Sequence, residues 1–107
     1  MTDLARWLAE RRPGAPRALR RALDEAVAGT DGEGAIPDRL AAAGLGALRR
    51  AARGGGDRST ALTLLAADAL LTYACEAAAE AGPDELDRLL ASLDFDRFAG
   101  LLAETDR

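Results

Sequence analysis

The chain has 107 residues, 49% hydrophobic but only 4% aromatic, and a formal net charge of −4. That length suits one domain with one modest core, and the apolar content is too high for a disordered chain. All 14 positive charges are Arg, and Lys, His, Asn and Gln are absent. This excludes an imidazole base, a His metal ligand, a Ser-His triad, a lysine Schiff base and a Walker-type phosphate loop.

With so few aromatics the core has to be built from Leu and Ala, which favours closely packed helices over a sheet. Val, Ile and Thr never alternate over a strand-length run, so no strand is predicted. The absence of Lys and Asn beside abundant Ala, Arg and Gly reads as the composition of a GC-rich bacterial genome. Charge is unevenly placed: residues 1–53 carry +3 and residues 54–107 carry −7. The two halves complement each other within one fold; the sharper alternative is a basic patch for an acidic partner.

Thr2 can cap a first helix in which Leu4, Trp7 and Leu8 form the apolar edge, and Pro13-Gly14 ends it. Pro16 suits the first turn of a second helix that runs to Gly29, with Leu19, Leu23, Ala26 and Val27 as its buried stripe. Arg11, Arg12, Arg17, Arg20 and Arg21 make the densest positive cluster. It could touch phosphate, but neighbouring acids and solvent account for it, and nucleic-acid binding is not expected. Thr30–Ala35 is an acidic loop without the spacing of a calcium loop.

Pro37-Asp38 opens a third helix with Leu40, Leu45 and Leu48 inward. Gly44 and Gly46 each cost roughly 1 kcal/mol in a helix interior, which predicts a kink or a break there. Gly54-Gly55-Gly56 is a linker, after which Asp57 or Ser59 caps the next helix.

Ser59–Ala81 contains no Gly or Pro and consists mostly of Ala and Leu. Its polar groups Asp68, Thr72, Glu76 and Glu80 follow an i, i+4 spacing and form one narrow stripe. Leu62 and Leu65 fill the face below it, so this helix is expected to be buried nearly all round. After Gly82, Pro83, Asp84 and Glu85 suit the first turn of a helix with Leu86, Leu89, Leu90 and Leu93 on one side. Asp94 then caps a last short helix with Phe95, Phe98, Leu101 and Leu102 inward. The reading is a single all-α domain over residues 1–107, an orthogonal or up-down bundle of five or six helices around a central buried helix at about 59–81.

Carboxylates are the only reactive side chains in any concentration. Glu76 and Glu80, with Asp68 on the same edge, could hold a divalent cation if a second helix supplied oxygens. Without such a helix the edge is a solvated one, so no catalytic, cofactor-binding or metal residue is assigned and no cofactor is expected. The single Cys75 reads as a small buried apolar residue. The N-terminus reaches Asp3, Arg6 and Glu10 with no apolar signal segment, and acids interrupt the longest apolar run. These features predict a cytoplasmic protein without a membrane span.

Leu64–Glu80, LLAADALLTYACEAAAE, resembles the helix that follows the first aspartate-rich motif of trans-isoprenyl diphosphate synthases, where a sequence close to LAGDALLTLAFELL is common. Asp68, Ala69, Leu70, Leu71 and Thr72 stand as they do in that family, with Ala67 in place of its usual Gly. The resemblance implies an all-α fold and prenyl-chain elongation, and an apolar tunnel lined by Leu65, Leu71 and Tyr73 could hold an isoprenoid or lipid chain. The family's DDxxD magnesium clusters, its Gly-Lys-Arg element and its lysines are missing, so no catalytic residue carries over. The functional expectation is therefore a non-enzymatic helical protein acting through protein–protein contact, as a homodimer or accessory subunit. The alternative is an isoprenoid or lipid-chain binder, or a degenerate prenyl-synthase-like subunit.

Overall fold

The computed structural model describes residues 3–11, 14–29, 34–93 and 99–100. Among them the chain is all-α, without strands: α1 (Asp3–Ala9), α2 (Arg17–Ala28), α3 (Ile36–Arg53), α4 (Arg58–Ala81) and α5 (Pro83–Ser92). The boundaries follow local chemistry. Pro16 precedes α2 and Pro37 lies in the first turn of α3, where a missing N–H leaves nothing unpaired. Asp57 caps α4, its Oδ1 accepting the Thr60 amide at 2.8 Å. Gly82 turns the chain into α5 with a φ of 140°, a backbone region that favours glycine. The Thr2 cap, most of the Thr30–Ala35 loop and the last helix expected after Asp94, with Phe95, Phe98, Leu101 and Leu102, lie outside the described residues.

α3 and α4 form the main pair. Gly44 lies beside Ala67 and Leu71, and Gly54 beside Thr60, so the two helices run antiparallel. Of the kink or break expected at Gly44 and Gly46, the break does not occur; α3 is continuous from Ile36 to Arg53. Helix propensity is overridden at Gly44 by packing. A Cβ there would come within 2.9 Å of Leu71 Cγ and 3.3 Å of the Ala67 carbonyl oxygen, so only glycine permits this approach. Gly46 is different: the nearest group to a Cβ is the end of Arg50, 3.8 Å away.

α2 and α5 also pack on α4, and α1 on α2 and α3. The core joins Leu4 of α1, Leu23 and Ala26 of α2, Leu40 and Ala47 of α3, Leu70 and Ala74 of α4 and Leu89 of α5. No polar or charged residue is buried among the described residues. Trp7, Leu19, Val27, Leu48, Tyr73 and Cys75 are partly buried against the core. On the surface Arg88 ties α5 to the start of α3. Its guanidinium donates to Glu85 at 2.8 Å and to Asp38 at 3.4 Å, bonds that push its pKa up, the Glu85 bond more strongly.

α4 departs from the expectation of burial nearly all round. Its buried residues are Ala66, Ala67, Leu70, Ala74, Ala77 and Ala78, all but one of them small. Leu62 and Leu71 are half-buried, whereas Leu64 and Leu65 are 51% and 53% exposed. The side that α3 approaches closely admits mostly alanine, and two of the helix's large side chains are left outside. By length and composition α4 is also apolar enough to cross a membrane, with a mean hydropathy of 1.4 over an 18-residue window of which 33% is buried.

Three substitutions test this packing by urea denaturation. Leu70→Ala is expected to cost ~2–5 kcal/mol, because Leu70 is fully buried and the space cannot refill. Gly44→Ala gains helix propensity of ~1 kcal/mol but meets Leu71 and the α4 backbone, an overpacking cost of ~1–3 kcal/mol, so it lowers the midpoint. Gly46→Ala meets nothing close and is expected to raise stability by ~0.5–1 kcal/mol. Equal effects of the two glycine substitutions would mean that α3 and α4 are not in this close contact.

Candidate interaction surface

The carboxylate pair singled out in the sequence, Glu76 and Glu80, is engaged from within the chain. Arg11, just beyond the end of α1, donates to Glu76 Oε1 at 3.2 Å and to Glu80 Oε1 at 3.0 Å. Its Nε donates to the Trp7 carbonyl at 3.2 Å, an oxygen at the α1 terminus that also accepts the Glu10 amide at 3.3 Å. The guanidinium also lies over the Trp7 ring, 3.7 Å from the centroid, and Trp7 meets Tyr73 edge-on with centroids 5.9 Å apart. Arg11, Trp7, Tyr73, Glu76 and Glu80 therefore form one clamp that fastens α1 to the second half of α4. Asp68 is exposed and does not join it, and no metal-holding group of three His, Cys, Asp or Glu occurs among the described residues.

This divides the basic cluster read from the sequence. Arg11 is turned into the fold with its side chain 18% exposed, while Arg17, Arg20 and Arg21 are exposed on α2, interleaved with Asp24 and Glu25. Arg12 lies outside the described residues. The inward role of Arg11 was readable in principle. It stands four residues after the only Trp, at the end of a helix, where a cation can reach both the last carbonyls and the ring.

Leu65, Leu71 and Tyr73 are not brought together as one tunnel wall. Leu65 faces solvent, Leu71 packs on Gly44, and Tyr73 meets Trp7. The cleft that Tyr73 lines with α1 and α2 has a volume of about 50 Å³, room for a few waters and no chain-like ligand. Cys75 is a half-buried free thiol against the core.

The larger apolar feature lies at the other end of α4, where sequence reading placed only a linker. Leu48, Ala51 and Ala52 of α3, the Gly55-Gly56 turn, and Thr60, Ala61 and Leu64 of α4 line a groove of about 390 Å³. Asp57, the α4 cap, lies at its edge. Leu64 is one wall of the groove, and Leu65 stands one helical turn after Ala61, another wall, so two half-exposed leucines lie at or next to it. Periodicity could not have shown this groove, because it arises between two helices whose spacing is set by Gly44. No protein-family model, curated protein or solved structure matches this chain.

The cap at the groove's edge titrates. The hydrogen bond from the Thr60 amide, and then that from its hydroxyl, hold the Asp57 carboxyl below its ordinary 3.8. A carboxyl lowered in the folded state adds stability above its unfolded value, and that stability is lost as pH falls through the lowered folded value. Asp57→Asn keeps a capping oxygen but does not titrate. The thermal advantage of the wild type over Asp57→Asn is expected to be full at neutral pH and to vanish in acid below 3.8. A difference independent of pH would show that the carboxylate charge plays no part in the cap.

Proposed function

We propose that this is a non-enzymatic helical protein that works through protein–protein contact, as a homodimer or as an accessory subunit. The observation that carries the reading is the pair Leu64 and Leu65, 51% and 53% exposed beside an apolar groove on α4, the most apolar of the described helices. Adjoining exposed apolar surface of this kind marks an interaction site more often than ordinary surface. The titratable groups support the same reading, since the paired carboxylates are engaged by Arg11. In this reading the protein is cytoplasmic, and the outer side of α4 meets another protein rather than a bilayer. Light scattering without detergent tests the homodimer: twice the chain mass is expected at micromolar concentration. A strictly monomeric mass sinks the homodimer and leaves the accessory-subunit form, which would then require a second protein.

A second reading is favoured by the groove itself. About 390 Å³ falls within the roughly 300–1,000 Å³ typical of small-molecule sites, and its walls are mainly Leu and Ala. The segment resembling the prenyl synthases begins at Leu64, one of those walls. An isoprenoid or lipid chain lying between α3 and α4 would suit that lining, with no diphosphate chemistry implied. Thermal-shift measurements with prenyl diphosphates, with and without magnesium, separate the readings. A ligand-dependent rise in melting temperature that needs no magnesium supports the apolar-chain site, and no shift at saturating ligand removes it.

A further inference from the structure

We infer that the interface between two copies is an antiparallel crossing of α4 on α4 about a two-fold axis level with Thr63; this rests on the self-association reading above. The outer side of α4 carries Arg58, Ala61, Leu65, Asp68 and Thr72, spaced alternately by three and four residues, and all five are exposed. That spacing is the a/d repeat of a coiled coil, with Arg58, Leu65 and Thr72 at one position and Ala61 and Asp68 at the other. Antiparallel helices set each a residue of one copy against a d residue of the other. The register that seats Leu65 of one copy on Ala61 of the other has its midpoint at Thr63. The same register, without further adjustment, sets Arg58 of each copy against Asp68 of the other.

Two independent features thus select one arrangement. The apolar pair fits by size, a large side chain on a small one, and the charged pairs flank it on both sides with opposite signs. Neither Arg58 nor Asp68 has an ion-pair partner among the described residues, so both charges are available to a second copy. Asp68 would also lie near the first turn of the other copy's α4, where negative charge is favoured. A parallel crossing would oppose Arg58 to Arg58 and Asp68 to Asp68, a like-charge arrangement that selects against it. The contact is isologous, so it closes as a dimer and does not propagate.

The test is a charge-exchange series read by light scattering and sedimentation, with circular dichroism as the check on folding. The positions are exposed, so folding is expected to survive each change. Arg58→Asp alone and Asp68→Arg alone each create two like-charge pairs and are expected to weaken the dimer by about tenfold or more. An equimolar mixture of the two single variants forms opposite-charge pairs at both ends and is expected to recover a dimer of wild-type strength. Leu65→Glu removes the central contact and is expected to give monomer. A dimeric wild type whose mass none of these substitutions changes overturns this interface and leaves self-association through another face. Single variants that dissociate but do not recover on mixing overturn the antiparallel register. A monomeric wild type overturns both the crossing and the homodimer reading.

Discussion

The fold depends on how closely α3 can approach α4. Among the described residues, nine of the fourteen in the core cluster are Ala, and an alanine fills little space, so a core of alanines is dense only where helix axes are drawn together. Gly44 is where this happens. Without a Cβ, α3 settles against Leu71 and the Ala67 carbonyl, and Ala41, Ala43 and Ala47 come within packing range of the α4 alanines. The two longest helices then act as one antiparallel slab on which α2 and α5 pack. The few large buried side chains, Leu4, Leu23, Leu40, Leu45, Leu70 and Leu89, are fully or almost fully buried, and each of the five helices α1 to α5 supplies at least one.

What sequence reveals and what it hides divide along physical lines. Helix ends are local events: a proline that fixes φ, an Asp that accepts an amide, a glycine that tolerates a positive φ. The starts of α2, α3 and α5 and the Asp57 cap were legible for that reason. Gly44 was misread because its propensity cost is local, whereas its benefit comes from a helix more than twenty residues away. The burial of α4 was misread for a related reason. Periodicity shows which sides of a helix are apolar but not how many neighbours exist to cover them. The function was least legible, because the feature that bears on it is a groove between helices rather than a motif within one.

Arg11 shows how charge counting can mislead. By sequence it belongs to a dense run of positive charge suited to phosphate. In the fold its guanidinium is a fastening that serves a ring face, a helix-terminal carbonyl and two carboxylates at once. Glu76 and Glu80 stand half exposed on the edge of α4 and meet this cation there. Their charges are offset by a cation from the basic half of the chain, which is how the +3 and −7 halves come to complement each other at this edge.

Helix length accounts for the surface that remains. At about 1.5 Å per residue, α4 is roughly 36 Å long and α5 only about 15 Å. α5 follows α4 through the tight turn at Gly82, and its Arg88 reaches Asp38 at the start of α3, so it runs back along the second half of α4. The clamp at Tyr73, Glu76 and Glu80 places α1 on that half as well. Only α3, with 18 residues, is long enough to follow α4 toward its start, and it covers one side. Among the described helices the outer side of the first half of α4 is thus left without a neighbour, and this is where Leu64 and Leu65 stand. Nothing in the packing of the core requires leucine there, since the buried side of the same helix is satisfied by Ala66, Ala67 and Leu70. Among the described residues these two leucines, 51% and 53% exposed, are the apolar surface on which the proposed contact with a second copy rests.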